Sequence, residues 1–192
     1  MAAGSSSRMN GIKQLLPWKK SNLLLHVVNT IQLVQKEHIY VVLGANSDII
    51  LKETNLASLP LSVIENSNWE KGLGNSISRG VEYLQNLEQS FDGILICLAD
   101  QPLLDIDYYK QLIHEFKLKK HSIVATKYFK KAGVPAIFSH EIANELRSLD
   151  PDSGAKKLLT QYQESIYIFD AGNKIVDIDT PEEYRKLYEQ YN

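Results

Sequence analysis

Carboxylates, cations and turns rich in small residues are the materials of phosphate chemistry, and this chain holds all three at defined places. Asp100 closes the apolar run "GILICLAD" and is followed by Gln101 and Pro102, where proline stops any further strand. A carboxylate at such an open strand end can hold a hard cation such as Mg²⁺, which takes oxygen ligands; it can equally cap a turn. Asp177 and Asp179 alternate in "VDIDTPEEY", so on a strand they would share one face. Thr180, Pro181 and Glu183 form a capping box with proline at the first helical position, which explains those three but neither aspartate. At the other end, "MAAGSSSRMNGIKQLLPW" sets Gly4 and three serines ahead of Arg8 and Lys13. Ser5 to Ser7 favour loops and caps, and both a loop around a phosphate and a frayed terminus fit them.

Two more stretches carry candidate chemistry. In "NWEKGLGNSISRG", Gly72 and Gly74 bracket Leu73 just before Asn75 and Ser76 open a helix. Free N–H groups at such a start can receive a phosphate or the polar edge of a base or ribose. The full GxGxxG spacing is lacking, which argues against a dinucleotide fold. In "KKAGVPAIFS…DPDSGAKKLL", Gly133 and Pro135 shape a strand entry, and Asp152, Ser153 and Gly154 precede a helix. Lys156 and Lys157 in its first turn oppose the helix dipole, a misfit that an anionic ligand would relieve. Five scattered histidines offer no HxxxH or HExxH pair, and no GxxxxGK[ST] or GxSxG occurs. Zinc, Walker-type and hydrolase-elbow chemistries are therefore set aside. Cys97, the single cysteine, lies deep in an apolar run, so it is a poor nucleophile and implies a reducing compartment.

The elements that position these residues follow from composition and period. A chain of 192 residues, 44% hydrophobic and 23% charged, suits one domain over 1–192 with a substantial core. A net charge of −2 with interspersed signs gives no reason for nucleic-acid binding. No apolar stretch reaches membrane-spanning length and no signal-peptide core is present, so the expected place is the cytoplasm, with no membrane partner. Helical periods cover 21–36, 74–88, 105–119, 139–149, 153–162 and the stretch from 181; strand-like runs cover 39–44, 61–65, 93–100, 122–126, 134–139, "SIYIFD" and "KIVDID". Continuous apolar strands alternating with amphipathic helices predict an α/β fold: a mostly parallel, mixed sheet with helices on both faces. Ligands of such folds bind at the carboxyl ends of strands, which points to Gly44, Asn66, Asp100 and Asp179.

The order of these motifs resembles the molybdenum cofactor cytidylyltransferase group of the nucleotidyltransferase family and, more loosely, its guanylyltransferase cousins. The family's opening signature has the form LAAGxSxRMGxxKxLLPW; here Asn10 stands where Gly is usual and Met1 where the first strand closes on Leu. "LADQP" at 98–102 is similar to the cytidylyl metal motif, whereas the cousins show a "CDMP"-like version; "GLGNSISRGV", "GVPAIF", "DSGAKKLL" and "DIDTPEEY" follow in order. The resemblance implies a Rossmann-like nucleotidyltransferase fold that joins CMP from CTP to molybdopterin and releases pyrophosphate. By it, Ala2, Ala3, Gly4 and Ser5 to Ser7 wrap the nucleotide, with Arg8 and Lys13 on the β- and γ-phosphates. Gly72, Gly74 and Ser76 sit near the cytosine or ribose. Asp100 and Asp179 hold Mg²⁺, with Asp177 as a third carboxylate. Gly133, Pro135, Asp152, Gly154 and Lys156 face the acceptor, and a recipient molybdoenzyme is a further partner. It also implies a central strand immediately before the Ala2–Gly4 loop; the expectation is that this first strand is missing from 1–192 and lies upstream of Met1. Two other readings stay open: the same fold with GTP or another phosphorylated acceptor, and a non-catalytic accessory protein that binds the cofactor without releasing pyrophosphate.

Overall fold

Strands and helices alternate along the chain in the computed structural model, which describes residues 1–87, 89–128, 131–150 and 154–191. A short hairpin, β1 (Pro17–Trp18) and β2 (Ser21–Asn22), leads into α1 (Leu23–Gln32), whose first turn is capped by Asn22 accepting from Leu25 N at 2.9 Å. Then come β3 (Tyr40–Leu43), α2 (Ser47–Thr54), β4 (Ser62–Glu65), α3 (Leu73–Asn86), β5 (Gly93–Ile96) and α4 (Ile106–Lys117). The second half holds β6 (Ile123–Tyr128), β7 (Lys131–Ser139), α5 (Ala143–Arg147), α6 (Lys156–Gln161), β8 (Ile166–Phe169) and α7 (Pro181–Tyr191).

β3 and β4 pair in parallel, and a second sheet runs β5-β7-β6-β8. In it β7 is antiparallel to both β5 and β6, while β6 and β8 are parallel. The sheet is mixed as expected, with more antiparallel pairing than its apolar runs suggest. The link between β6 and β7 is two residues long in the sequence, and only antiparallel neighbours can be joined so tightly.

Residues 1–3 lie between the two sheets. Ala2 N donates to Val42 O at 2.9 Å and Ala45 N to Ala3 O at 3.0 Å, in parallel register with the end of β3. On the other side Met1 N donates to Cys97 O at 2.7 Å, and Ala99 N donates to Met1 O at 3.1 Å. Three residues thus bridge the two sheets by backbone bonds and deliver Gly4 to the carboxyl-end side of β3 and β5.

Period-two alternation sorts the core. Ile123 and Phe138 pack with Ile77 and Val81 of α3 and Leu146 of α5, whereas Val124 and Ile137 pack with Tyr109 and Leu112 of α4. Helices therefore cover both faces, each fully buried aliphatic side chain contributing about 1.5–3 kcal/mol. A smaller cluster of Trp18, Leu23, Ile178 and Leu187 pins the segment before α7 against the hairpin. Among the described residues no helix is long and apolar enough to cross a membrane.

Two sequence expectations need correction. The helix expected over 21–36 stops at Gln32, where the chain turns (Gln35 N to Ile31 O, 2.8 Å). "KIVDID" forms no ladder strand: Val176 N folds back onto Lys174 O at 3.1 Å, and only Ile178 N reaches the β5 side, donating to Asp100 O at 3.0 Å.

At the end of β3 the backbone passes so close to its neighbours that a Cβ on Gly44 would lie 2.4 Å from Trp69 Cβ and 2.7 Å from Ala3 O. Gly44→Ala should therefore destabilise the protein by about 1–3 kcal/mol, as overpacking does, read as a fall in the denaturant midpoint at constant slope.

Candidate active site

The loop that follows Ala3 is held from within by one buried amide. Gln14, 5% exposed, donates from Nε2 to Ala2 O (2.8 Å) and Gly4 O (3.0 Å) and accepts from Ser6 Oγ at 3.2 Å. Ser6, at φ +59°, turns the chain, and its Oγ accepts from Lys13 N at 3.2 Å. Both ends of the loop are thereby tied to the residues that carry its cations.

Lys13 lies at the centre of a charge cluster. Its Nζ is 2.7 Å from Asp100 Oδ2 and 3.1 Å from Asp179 Oδ1, and Arg8 Nη2 reaches Asp179 Oδ2 at 3.0 Å. The Lys13 side chain is 16% exposed and that of Arg8 66%, so the lysine is the inner cation and the arginine stands at the rim. Burial pulls the Lys13 ammonium down, but the Asp100 charge and the bonds from Asp100 and Asp179 outweigh it and hold the group above its ordinary value. Asp100 extends from the end of the β5 segment; Asp179 is placed by its neighbour Ile178, fully buried beside Trp18 and Leu187. Glu183 Oε2 accepts from the backbone N–H of Asp179 (2.9 Å) and Thr180 (2.8 Å), so the expected capping box also fixes this carboxylate.

These residues suit a divalent cation. Asp100 Oδ1 is buried with no hydrogen-bond partner, and both carboxylates already converge on one cationic point. No group of three or more His, Cys, Asp or Glu forms a cage among the described residues. Two carboxylates completed by phosphate oxygens and water are what Mg²⁺ commonly takes.

A cavity of about 340 Å³ opens on this cluster. Of the residues picked out from sequence, Ala2, Ala3, Gly4, Ser5, Arg8, Lys13, Gly72, Ser76, Asp100 and Asp179 all line it. Ser76 does so with a committed hydroxyl: it is 3% exposed and accepts from Asn66 Nδ2 at 2.9 Å. Gly74 is buried and does not line the cavity; its backbone lies near Gly154, which turns at φ +55° against Leu73. Asp177 is not a third member of the cluster. Its Oδ1 accepts from Gln101 Nε2 (2.8 Å) and Tyr128 OH (3.2 Å), and burial, with help from the nearby Asp100 charge, raises its carboxyl against those two bonds. Gly133 and Pro135 also lie outside the cavity lining. A Cβ on Gly133 would meet the Tyr128 ring at 2.6 Å, so Gly133 lets β7 pass Tyr128, and Pro135, after a cis peptide bond, offers its carbonyl to Thr126 Oγ1 at 2.5 Å. Lys156 is exposed at the start of the six-residue α6, and Asp152 lies outside the described residues.

Gln14, Gln101 and Tyr128 escaped the sequence reading. Gln101 was visible beside Asp100 in "LADQP", yet only its buried hydrogen bond shows that it holds Asp177. Gln14 stands in "KQLLPW" like an ordinary solvent-facing residue, with no signal of its role.

A parallel strand end bearing a small-residue loop, two cations and two carboxylates is the layout of a nucleotidyltransferase. The chain belongs to the family described as the MobA-like NTP transferase domain, whose profile matches residues 1–166. It is 31% identical to the purine catabolism protein PucB of Bacillus subtilis, over 96% of this chain and 91% of that one. It is 26% identical to the molybdenum cofactor cytidylyltransferase of Escherichia coli (99% and 94%) and 25% identical to nicotine blue oxidoreductase of Paenarthrobacter nicotinovorans (97% and 93%). Its fold is similar to that of Rv0371c from Mycobacterium tuberculosis, with a TM-score of 0.81 over 98% of this chain and 95% of that one at 24% identity. A complex of that protein with manganese is also similar, with a TM-score of 0.76, 94% coverage of each chain and 23% identity.

Removing Lys13 leaves two partly buried carboxylates facing each other. Lys13→Ala should cost about 1–3 kcal/mol in metal-free buffer, less than a fully buried pair because these groups are partly solvated. Millimolar Mg²⁺ should recover more stability in the variant than in the wild type, as read by thermal unfolding with and without the cation.

Proposed function

We propose that this protein, acting as one nucleotidyltransferase domain over 1–192, transfers CMP from CTP to the terminal phosphate of molybdopterin and releases pyrophosphate. The observation that carries this reading is the convergence of the Ala2–Ser7 loop, Arg8, Lys13, Asp100 and Asp179 on one cavity. The "LADQP" word and the match to a molybdenum cofactor cytidylyltransferase along nearly the whole chain support CTP and molybdopterin.

The chemistry asks for charge control rather than a base. A phosphomonoester has its second pKa near 6, so at neutral pH its oxygen is already a dianionic nucleophile. That oxygen forms a bond to the α-phosphorus of the nucleotide while the bond from the α-phosphorus to the α,β-bridging oxygen breaks, and the electron pair leaves on pyrophosphate. No proton has to be removed, and no histidine lines the cavity. The loop holds the nucleotide in line for this displacement. Lys13, kept protonated by its carboxylate neighbours, and Arg8 at the rim face the charge that builds on the departing phosphates. Asp100 and Asp179 would hold Mg²⁺, which when bound neutralises phosphate charge; the manganese complex of the structural relative supports a divalent cation here. Leu73 lines the cavity on the side given to the acceptor, with the Gly154 turn packed behind it. Such a reaction belongs in the cytoplasm, and its product would pass to a recipient molybdoenzyme.

A second reading keeps the transfer and changes the nucleotide or the acceptor. It is favoured by the higher identity to PucB, 31% against 26% for the cytidylyltransferase.

Pyrophosphate release decides between them. With Mg²⁺ and molybdopterin, release is expected from CTP and not from GTP, and none without the acceptor. Asp100→Asn should lower the rate by roughly 10²–10³, the loss seen when one transition-state stabiliser is removed. Release from GTP alone, or only with a different phosphorylated acceptor, establishes the second reading; a near-wild-type rate in a folded Asp100→Asn protein removes Asp100 from the mechanism.

A further inference from the structure

The cavity of the candidate site has walls of two kinds. Arg8, Lys13, Asp100 and Asp179 bring charge to it from the loop, from the turn after β5 and from the segment before α7. The connection from β4 to α3 brings Trp69 instead, a half-buried residue to which no sequence motif points. No other aromatic residue lines this cavity among the described residues.

Trp69 is firmly placed. A Cβ on Gly44 would lie 2.4 Å from Trp69 Cβ and 2.8 Å from its Cγ, so the root of the indole fills the space that this glycine leaves open. The same Cβ would meet Ala3 O at 2.7 Å, which puts Trp69 beside the start of the nucleotide loop. Its side chain packs against the cluster of Ala3, Val42 and Ile64. The backbone around it is set by short bonds. Asn66, 2% exposed, donates from Nδ2 to Ser76 Oγ at 2.9 Å and accepts from Asn68 N at 3.0 Å. Trp69 then opens a single 3-10 turn (Trp69–Lys71), closed by Gly72 N donating to Trp69 O at 3.0 Å. A ring rooted in this way has little freedom left to lose when a ligand covers it, which favours binding.

A nucleotide has the same two-part character as the cavity: a triphosphate that asks for cations and a planar base that asks for a flat apolar surface. We propose that Trp69 is the platform on which the nucleobase lies, stacked on the indole while Arg8 and Lys13 face the phosphates. The proposal rests on the nucleotidyltransferase reading and adds to it the side chain that holds the base. The base is assigned to Trp69, and not the acceptor, because Trp69 packs with Ala3 of the nucleotide loop, whereas the Gly154 turn on the acceptor side packs on Leu73. Every base has a π-face, so stacking supplies affinity without choosing between CTP and GTP.

The test uses the indole itself. The chain holds two tryptophans, and Trp18 is fully buried with Leu23, Ile178 and Leu187, outside the cavity lining. Whichever of CTP and GTP the wild type binds with Mg²⁺ is expected to quench its emission, while tripolyphosphate, which carries the charge without a base, leaves it unchanged. In Trp69→Phe the nucleotide-dependent quench disappears. In calorimetric titration Trp69→Leu is expected to bind the nucleotide about tenfold more weakly or worse, Trp69→Phe to lose less, and all three proteins to bind tripolyphosphate alike. Should Trp69→Leu not fold, the quench in the wild type and its loss in Trp69→Phe decide. Equal nucleotide affinity in the wild type and Trp69→Leu, or emission that a bound nucleotide does not move, would overturn the proposal and leave the nucleotidyltransferase reading standing. So would a parallel loss of tripolyphosphate in Trp69→Leu, or a loss confined to molybdopterin. A wild type that binds neither nucleotide overturns both.

Discussion

The contact on which the site depends is the one between Lys13 Nζ and two carboxylates, Asp100 and Asp179, which are 87 and 166 positions away along the chain. A lysine placed there offsets two like charges, which Arg8 on Asp179 brings to neutrality, and it fixes three distant segments at one point. Each segment is brought by a different device. Lys13 comes on the short turn after the loop, Asp100 on the turn that follows β5, and Asp179 on a capping box whose neighbouring Ile178 is buried in a separate cluster. Because the partners are held independently, the cluster is set before any ligand arrives, which is the condition for charge stabilisation without reorganisation.

The scaffold around it is tuned at short range. Met1 to Ala3 supply a few backbone rungs, Gly44 lets the end of β3 approach Ala3 with no Cβ between, and Gln14 gathers the carbonyls of the loop onto a buried amide. A buried amide left half-satisfied would cost about 1–3 kcal/mol, so its three bonds define the loop shape closely. Gln101, Asp177 and Tyr128 do the corresponding work behind Asp100.

Much of this was legible in the sequence, for identifiable reasons. Apolar runs such as "YVVL" and "GILI" had to be buried strands, and the Thr180 cap marks a helix start by a hydrogen bond that needs only local geometry. The strand-end rule pointed to Asp100 and Asp179, and the structure brings both onto Lys13, although Asp100 stands on the turn after β5 and Asp179 follows no ladder strand. Pairing direction was not legible, because an apolar run reads the same in either orientation; the antiparallel β7 became visible only through its register. Asp177 misled because alternation assumes a strand, and a turn at 174–176 removed that assumption. Gly133 and Pro135 lie outside the cavity lining, the first against the Tyr128 ring and the second with its carbonyl on Thr126, contacts that a sequence pattern does not show.

The account stands or falls on whether this charged cavity receives a nucleotide triphosphate, and thermal unfolding of the 1–192 chain in Mg²⁺ with no nucleotide, CTP or GTP asks that most directly. A ligand at a hundred times its Kd adds about 2.7 kcal/mol of stability. The account predicts an upward shift of that size with CTP and Mg²⁺ together, which Asp100→Asn abolishes. A cooperative transition that neither nucleotide moves would contradict it.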